Sequence, residues 1–364
     1  MKQYAQLAVS LLFAGACTSG DQRSPTAPET APAFARLPAG SIVITDLGTL
    51  GGNTSDAVSL NTPRAGNRLL IVGSGMDRAG TTHAAYWYVD IATGARQAGA
   101  LPAPAGDVQS GAGSVNQAEQ IVGGSATTAG SLSKPLQWAN TGSSPSFLNI
   151  TGFTSGGVSK ITPTGDIMGS VGNADGSQAA IWSGSNLTLL PGLAGGNATM
   201  IEDANAAGVI VGMSKYTTTG GGQRAVVWQN GSITQLPDGG SNSFALGIND
   251  AGVIVGMDWT SAGGTRAVRW LPPATAGGLY TKEDLGVSGD AYDINNAGEI
   301  VGQYCNPSSP CTPFYWFNGV RKDLPMLQPV RGGGARAINE NGEVVGWGRL
   351  PSNYQHAVLW THVR

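Results

Sequence analysis

The chain carries few side chains of the kind that perform covalent chemistry. It has three His, at 83, 356 and 362, and no two stand at the spacing that holds a metal on one helix face. A Gly-x-Ser-x-Gly elbow and a phosphate loop are both absent from the sequence. Cys305 and Cys311 bracket Asn-Pro-Ser-Ser-Pro. In an oxidising compartment such a pair is expected to form a small disulfide that stiffens its loop, rather than a metal-binding or reactive pair. Asp203 and Asp293 each stand two residues before an Asn, and Lys160 stands two before Thr162. Charges at one recurring position could line a common channel and bind a cation or polar ligand, or simply pair with one another in water. Glu202, beside Asp203, keeps open a surface polysaccharide lyase or hydrolase. Such an enzyme needs two acids close together in an open cleft. No catalytic residue, cofactor or metal ligand is assigned.

These residues sit inside a repeat. Its mark is an apolar pair followed by Gly, at Gly73, Gly123, Gly169, Gly212, Gly256, Gly302 and Gly346. Successive glycines lie 50, 46, 43, 44, 46 and 44 residues apart. A Trp follows each after 13 to 16 residues: Trp87, Trp138, Trp182, Trp228, Trp270, Trp316 and Trp360. Seven residues before most of the glycines stands Asn116, Asn205, Asn249, Asn295 or Asn339, with Thr162 in the third copy. In the first copy Asn61 stands twelve before its Gly, which implies an insertion.

Each copy divides into four strands. The first ends at the Asn, which opens a turn such as Asn249-Asp-Ala-Gly252 by bonding backbone ahead of it. The second is expected to end at the repeat Gly. The third carries the Trp, and Asn-Gly pairs such as Asn230-Gly231 and Asn318-Gly319 make a hairpin into the fourth. Four short strands at this period predict an all-β, seven-bladed β-propeller over residues 41–364. Only Thr-His-Val-Arg follows Trp360, so the seventh blade lacks its outer strand. Ile44-Thr-Asp-Leu47 parallels Ile233-Thr-Gln-Leu236 and is expected to supply that strand and close the ring, hiding an open edge.

Strand alternation places the long second-to-third and fourth-to-first loops on one face. Trp259 and Trp347, the two Trp outside the repeat, are expected there, with Tyr216, Tyr304, Tyr354 and the Cys305–Cys311 loop. Four residues before each repeat Trp stand His83, Lys134, Gln178, Arg224, Arg266, Thr312 and His356. Trp259, Trp347, Tyr216, Tyr304, Tyr354, Arg224, Arg266, His83 and His356 form the candidate ligand set, suited to a sugar or a weakly anionic, aromatic-bearing molecule. The polar members could equally make local hydrogen bonds, and the aromatics could pack on the blades.

The motif Ile338-Asn339, with Gly342-Glu-Val-Val-Gly346, His356-Ala357 and Asp46-Leu-Gly-Thr-Leu-Gly-Gly52, resembles the HAF repeat of probable extracellular bacterial proteins. The resemblance covers about residues 41–364 and implies an extracytoplasmic repeat protein with no activity attached. The naming tripeptide is loose: it reads His83-Ala-Ala85 and His356-Ala-Val358, and other copies replace the His.

Composition agrees with this organisation. Gly numbers 56 and charged residues only 12%, which suits strands and tight turns rather than solvent-exposed helices. A hydrophobic content of 41% supports a packed core, and a net charge of −3 argues against a nucleic-acid partner. At the N-terminus Met1-Lys2 precede a short apolar run, and Ala14-Gly-Ala16 stand directly before Cys17. This resembles a lipoprotein signal peptide over residues 1–17, with Cys17 as the lipidated residue and membrane anchor. Thr18 rather than Asp leans towards the outer membrane; plain secretion is the other reading. Residues 18–40, rich in Pro, Ala, Ser and Thr, read as a tether. The chain is thus expected to be a monomeric, lipid-anchored binding or scaffold module for a carbohydrate or an envelope protein, or a purely structural envelope protein.

Overall fold

In a computed structural model the described residues are 42–63, 68–128, 134–216, 222–239, 242–260, 264–275, 277–305, 310–329 and 331–361. The signal segment, Cys17 and the tether lie outside them. Twenty-eight strands form seven four-stranded antiparallel sheets, and no helix occurs among the described residues. The protein is a seven-bladed β-propeller. The inner strands are Gly51–Leu60, Gln109–Val115, Ser155–Ile161, Thr199–Ala204, Ser243–Ile248, Gly289–Ile294 and Gly333–Ile338, in blades one to seven. Strand Val43–Gly48 pairs antiparallel with Gln355–Thr361 and forms the outer strand of blade seven, as the sequence predicts.

The core lies between blades, not within them. One buried cluster joins Val211, Val227 and Leu236 of blade four to Ala245, Ile254 and Trp270 of blade five. Another joins Val345, Ala357, Leu359 and the closing residue Leu47 to Ile71, Ala85 and Trp87 of blade one, so the ring seam is as apolar as its other joints. The repeat Trp sits fully or almost fully buried in each of these layers. Five of the indoles donate a hydrogen bond of 2.7 Å to the backbone of the preceding blade, at the residue after its outer-strand Leu: Pro102, Asn149, Pro191, Pro237 and Pro325. The recurring Trp therefore fills the joint and ties it.

The repeat Gly has a different cause from the one expected. The second strands run past it, as Leu69–Asp77, Ile121–Ala126, Ile254–Trp259 and Val344–Arg349 do. It does not end the strand; it admits a neighbour. A Cβ on any of the seven glycines would lie 1.9–2.1 Å from the carbonyl oxygen of an inner-strand residue. That approach follows from a β-bulge which each inner strand carries at one register position: Val58, Gly113, Ser159, Glu202, Leu246, Tyr292 and Arg336. The bulge crowds the inner strand against the second strand and turns its extra residue towards the axis. All seven bulge residues are half-buried, as side chains lining a central channel should be.

The Asn of the repeat opens its turn and also reaches across the joint. Asn249 Oδ1 accepts from Val253 N at 3.0 Å, while its Nδ2 donates to Asn295 O at 3.2 Å. The same side chain links Asn205 to Asn249, Asn295 to Asn339, Asn339 to Asn61, and Asn116 to Thr162. A hydroxyl staple crosses the opposite end of the joint. Ser110, Thr199, Ser243 and Ser55 accept the N–H of Ala84, Ala179, Ala225 and Ala357 in the preceding blade at 2.7–2.9 Å. Where Pro135 or Pro313 replaces that Ala and offers no N–H, the facing residue is Gly156 or Gly333. The Asn-Gly hairpins hold both residues at positive φ, 52° and 75° at Asn230-Gly231 and 48° and 81° at Asn318-Gly319.

Candidate functional site

The residue after each bulge comes from the position read as channel-lining in the sequence. Asp203 and Asp293 do stand at equivalent places, and both carry structural hydrogen bonds. Asp203 Oδ2 accepts from Ile248 N of the next blade at 3.1 Å, and Asp293 Oδ2 from Ile338 N at 2.9 Å. Ser59 and Ser114 do the same for Val115 and Ile161. Lys160 has no acceptor to offer; its Nζ lies 2.7 Å from Asp203 Oδ1 instead. Burial works against its ammonium, but Asp203 and Asp293 outweigh that and raise its pKa. Burial likewise pushes Asp293 up, with Lys160 opposing. Glu202, at the bulge itself, is driven up to about 8, first by burial and then by the Asp203 charge. It is a neutral acid at pH 7.

Towards the loop face, the channel wall of blades six, seven and one holds a second polar group. Tyr292 Oη donates to Asp290 Oδ2 at 3.1 Å and accepts from Gln303 Nε2 at 2.9 Å. The Arg336 guanidinium lies 5.5 Å from the Tyr292 ring centre, and its Nη2 is 3.5 Å from Asp56 Oδ2. Asp56 is only 6% exposed. Burial raises the pKa of both Asp56 and Asp290, with Arg336 opposing it in each. Gly334 leaves room for Gln303 Oε1 and Trp347 Nε1, which would lie 2.5 and 2.7 Å from a Cβ placed there. Blades four and five bury Met200, Met213 and Phe244 together, with Leu246 and Met257 packed on them.

Of this group only Trp347 was singled out from sequence. It belongs to strand Val344–Arg349, not to a loop, because the strand continues past its Gly. Trp259 and Tyr304 likewise end strands, and Tyr216 follows one. Trp259 is 40% exposed and Tyr354 44%. Tyr216 stacks under Arg224 at 4.2 Å and bonds it through its hydroxyl. Tyr304 stacks under Arg321 at 4.4 Å and donates to Asp323. The polar ring before the repeat Trp is largely engaged locally. His83 meets Asp77 at 2.9 Å, Lys134 meets Asp107 at 2.8 Å, Arg224 meets Asp238 at 2.9 Å and His356 meets Asp46 at 2.9 Å. Arg266 is looser, 3.7 Å from Asp284 and 3.3 Å from Ser288 Oγ. Cys305 and Cys311 are bonded to each other. No cluster of three or more metal-ligating side chains occurs among the described residues.

Asp56, Asp290, Tyr292, Gln303 and Arg336 were missed in the sequence. The signal existed. Aligning the seven copies on the Asn puts Arg336, Tyr292 and Glu202 in one column with Val, Gly, Ser and Leu. It puts Asp56 and Asp290 in another column with Gly, Met and Phe.

No family model matches the chain, and no curated protein matches it. Solved structures do. The β-propeller domain of the Trilobed protease from Pyrococcus furiosus, described as having an open velcro topology, is 9% identical with a TM-score of 0.51, over 85% of this chain and 93% of that one. An acylaminoacyl peptidase from Pyrococcus horikoshii is 10% identical with a TM-score of 0.51, over 84% of this chain and 51% of that one. YCF48 from Cyanidioschyzon merolae is 10% identical with a TM-score of 0.53, over 87% of this chain and 97% of that one. At such identities the likeness is one of fold: this chain shares the β-propeller architecture and closes its own ring through Val43–Gly48.

Proposed function

We propose that the protein is an extracytoplasmic, lipid-anchored propeller that works as a binding or scaffold module and presents its ligand surface on the loop face. The observation that carries this reading is the division of labour in the site. The channel carboxylates Asp203 and Asp293 each spend one oxygen on the backbone of the next blade and the other on Lys160 or their own strand, while Trp259 and Tyr354 stay exposed. Carboxylates tied down as staples suit a rigid receptor better than an acid–base pair. The Cys305–Cys311 bond fits an oxidising compartment. The resemblance to the HAF repeat and the small residues before Cys17 support the same location.

Two measurements test this. Mass spectrometry of the native protein should find Cys17 acylated at the mature N-terminus; an N-terminus elsewhere refutes the anchor. A binding screen of the body against glycans and cell-wall fragments should give a ligand whose binding is lost in the W259A/Y354A double variant, with an unchanged thermal transition. A ligand held equally well by that variant places the site off the loop face.

A further inference from the structure

We infer that the loop-face mouth of the central channel, beside the polar wall of blades six, seven and one and the Met200–Phe244 cluster of blades four and five, is a binding site for a single neutral sugar residue. This rests on the binding reading above and goes deeper than the loop surface, into the channel.

The argument starts from unsatisfied groups. Asp56 Oδ1, Asp290 Oδ1 and Arg336 Nε are buried and make no close, well-aligned hydrogen bond, although Gln355 and Thr265 stand beside the two carboxylates. Asp56 is more than nine-tenths buried. A buried polar atom left unpaired is costly, so a partner that reaches these atoms is favoured. Trp347 adds an indole donor over Gly334, beside the Gln303 amide. Acceptors and donors thus alternate along one wall. A hydroxyl both donates and accepts, and a ring of vicinal hydroxyls can meet such a mixed wall. A metal cation would satisfy only the carboxylates and an anion only the donors.

The shape of the site points the same way. The Arg336–Tyr292 stack, the Tyr292–Asp290 bond and the Gln303–Tyr292 bond hold these groups in place before a ligand arrives, which lowers the ordering cost of binding. At the matching positions of blades four and five, Met200 and Phe244 form an apolar cluster with Met257 packed on it. A sugar ring has a hydroxylated edge and a C–H face, so it can satisfy both walls at once. Space comes from Gly157 on blade three, in the same layer as Asp56 and Asp290, where a Cβ would meet nothing within 4 Å.

The test uses the whole chain and saturation-transfer NMR with glucose, galactose, mannose and N-acetylglucosamine as probes. At least one should bind with a dissociation constant of about 10 mM or tighter. Gly157→Leu fills the channel without touching the polar wall. It should abolish the signal while keeping the parent melting temperature. Tyr292→Phe keeps the ring and removes the hydroxyl, and should weaken binding at least about fivefold. W259A/Y354A should bind these probes as the parent does. Absence of binding by all four sugars to folded parent overturns the proposal, and so does a bound sugar indifferent to both Gly157→Leu and Tyr292→Phe. Larger glycans lost in W259A/Y354A but kept in Gly157→Leu would overturn the channel site and leave the loop-face reading standing.

Discussion

Asn249 offers a graded test of what holds the blades together. Its side chain is buried, accepts from Val253 N at 3.0 Å and donates to Asn295 O across the joint at 3.2 Å. Asn249→Ala strands both groups. At roughly 1–3 kcal/mol for each buried orphan, the loss should be about 3 kcal/mol. Blade three shows the milder alternative, since Thr162 Oγ1 accepts from Asp166 N at 3.0 Å but has no amide to send onward. Asn249→Thr should therefore lose only the crossing bond, about 1–2 kcal/mol. Asn249→Asp keeps the acceptor and points a carboxylate at a carbonyl oxygen in a buried joint, so it should cost more than about 4 kcal/mol at pH 7. That carboxyl would have a folded-state pKa above its unfolded value. Its deficit relative to the parent should be full above the folded pKa and shrink as pH falls through it, because the protonated form can donate again. Urea denaturation of the parent and three variants, across pH, reads all of this. The order Thr, Ala, Asp is the content of the claim. If Asn249→Thr and Asn249→Ala are equally unstable, the turn acceptor contributes nothing. If Asn249→Asp matches the parent, the amide does not bridge the blades.

Other perturbations probe the remaining joints. Deleting residues 41–50 removes the outer strand of blade seven and buried Leu47, and should cost several kcal/mol and expose an edge, whereas deleting 18–35 should leave the urea midpoint unchanged. Gly208→Ala and Gly212→Ala should differ sharply. The first pays only for a positive φ in open space, about 1 kcal/mol, while the second drives a Cβ to 2.0 Å from Met200 O and should prevent a stable blade; similar midpoints would refute the close-approach account. Glu202 has a raised pKa near 8, so its contribution is whole below the unfolded carboxylate range and is lost progressively from there until pH passes about 8; Glu202→Gln should remove that loss between about pH 4.5 and 8 in thermal melts. Reducing Cys305–Cys311 closes no long loop and should lower stability by about 2 kcal/mol or less, with fold retained by circular dichroism.

The architecture was legible because each repeat residue answers a local demand that recurs from blade to blade. The Trp fills a joint, the Asn caps a turn and the Asn-Gly pair needs positive φ; such demands leave a period in the sequence. Ring closure was legible from the likeness of Ile44-Thr-Asp-Leu47 to the outer strand Ile233-Thr-Gln-Leu236, and Val43–Gly48 does pair with Gln355–Thr361. The cause of the repeat Gly was not legible. Its partner is a carbonyl some twelve residues back, brought close by a bulge that no residue type marks. For the same reason the strands were ended too early, and Trp259, Trp347 and Tyr304 were assigned to loops.

The candidate site was the least legible part, and the reason is physical. A joint must be made seven times, so its residues repeat. A ligand in the channel is met once, by whichever walls face it, so its residues depart from the repeat. Asp56, Asp290, Tyr292 and Arg336 occupy positions where other blades place Gly, Val, Leu, Met or Phe, apart from Ser159 and Glu202. The departures cluster: Asp56, Asp290, Tyr292 and Arg336 fall in blades six, seven and one, while blades four and five carry Met200, Leu246 and Phe244 with Glu202 beside them. Where two positions depart together for structural reasons, they do so as compensating pairs, as Pro135 with Gly156 and Pro313 with Gly333. The polar wall is compensated only in part: Gln355 and Thr265 stand beside Asp56 and Asp290 across their joints, yet Asp56 Oδ1, Asp290 Oδ1 and Arg336 Nε still lack a close hydrogen bond. Departures that cost stability without repairing a joint are the ones a propeller keeps for what it binds.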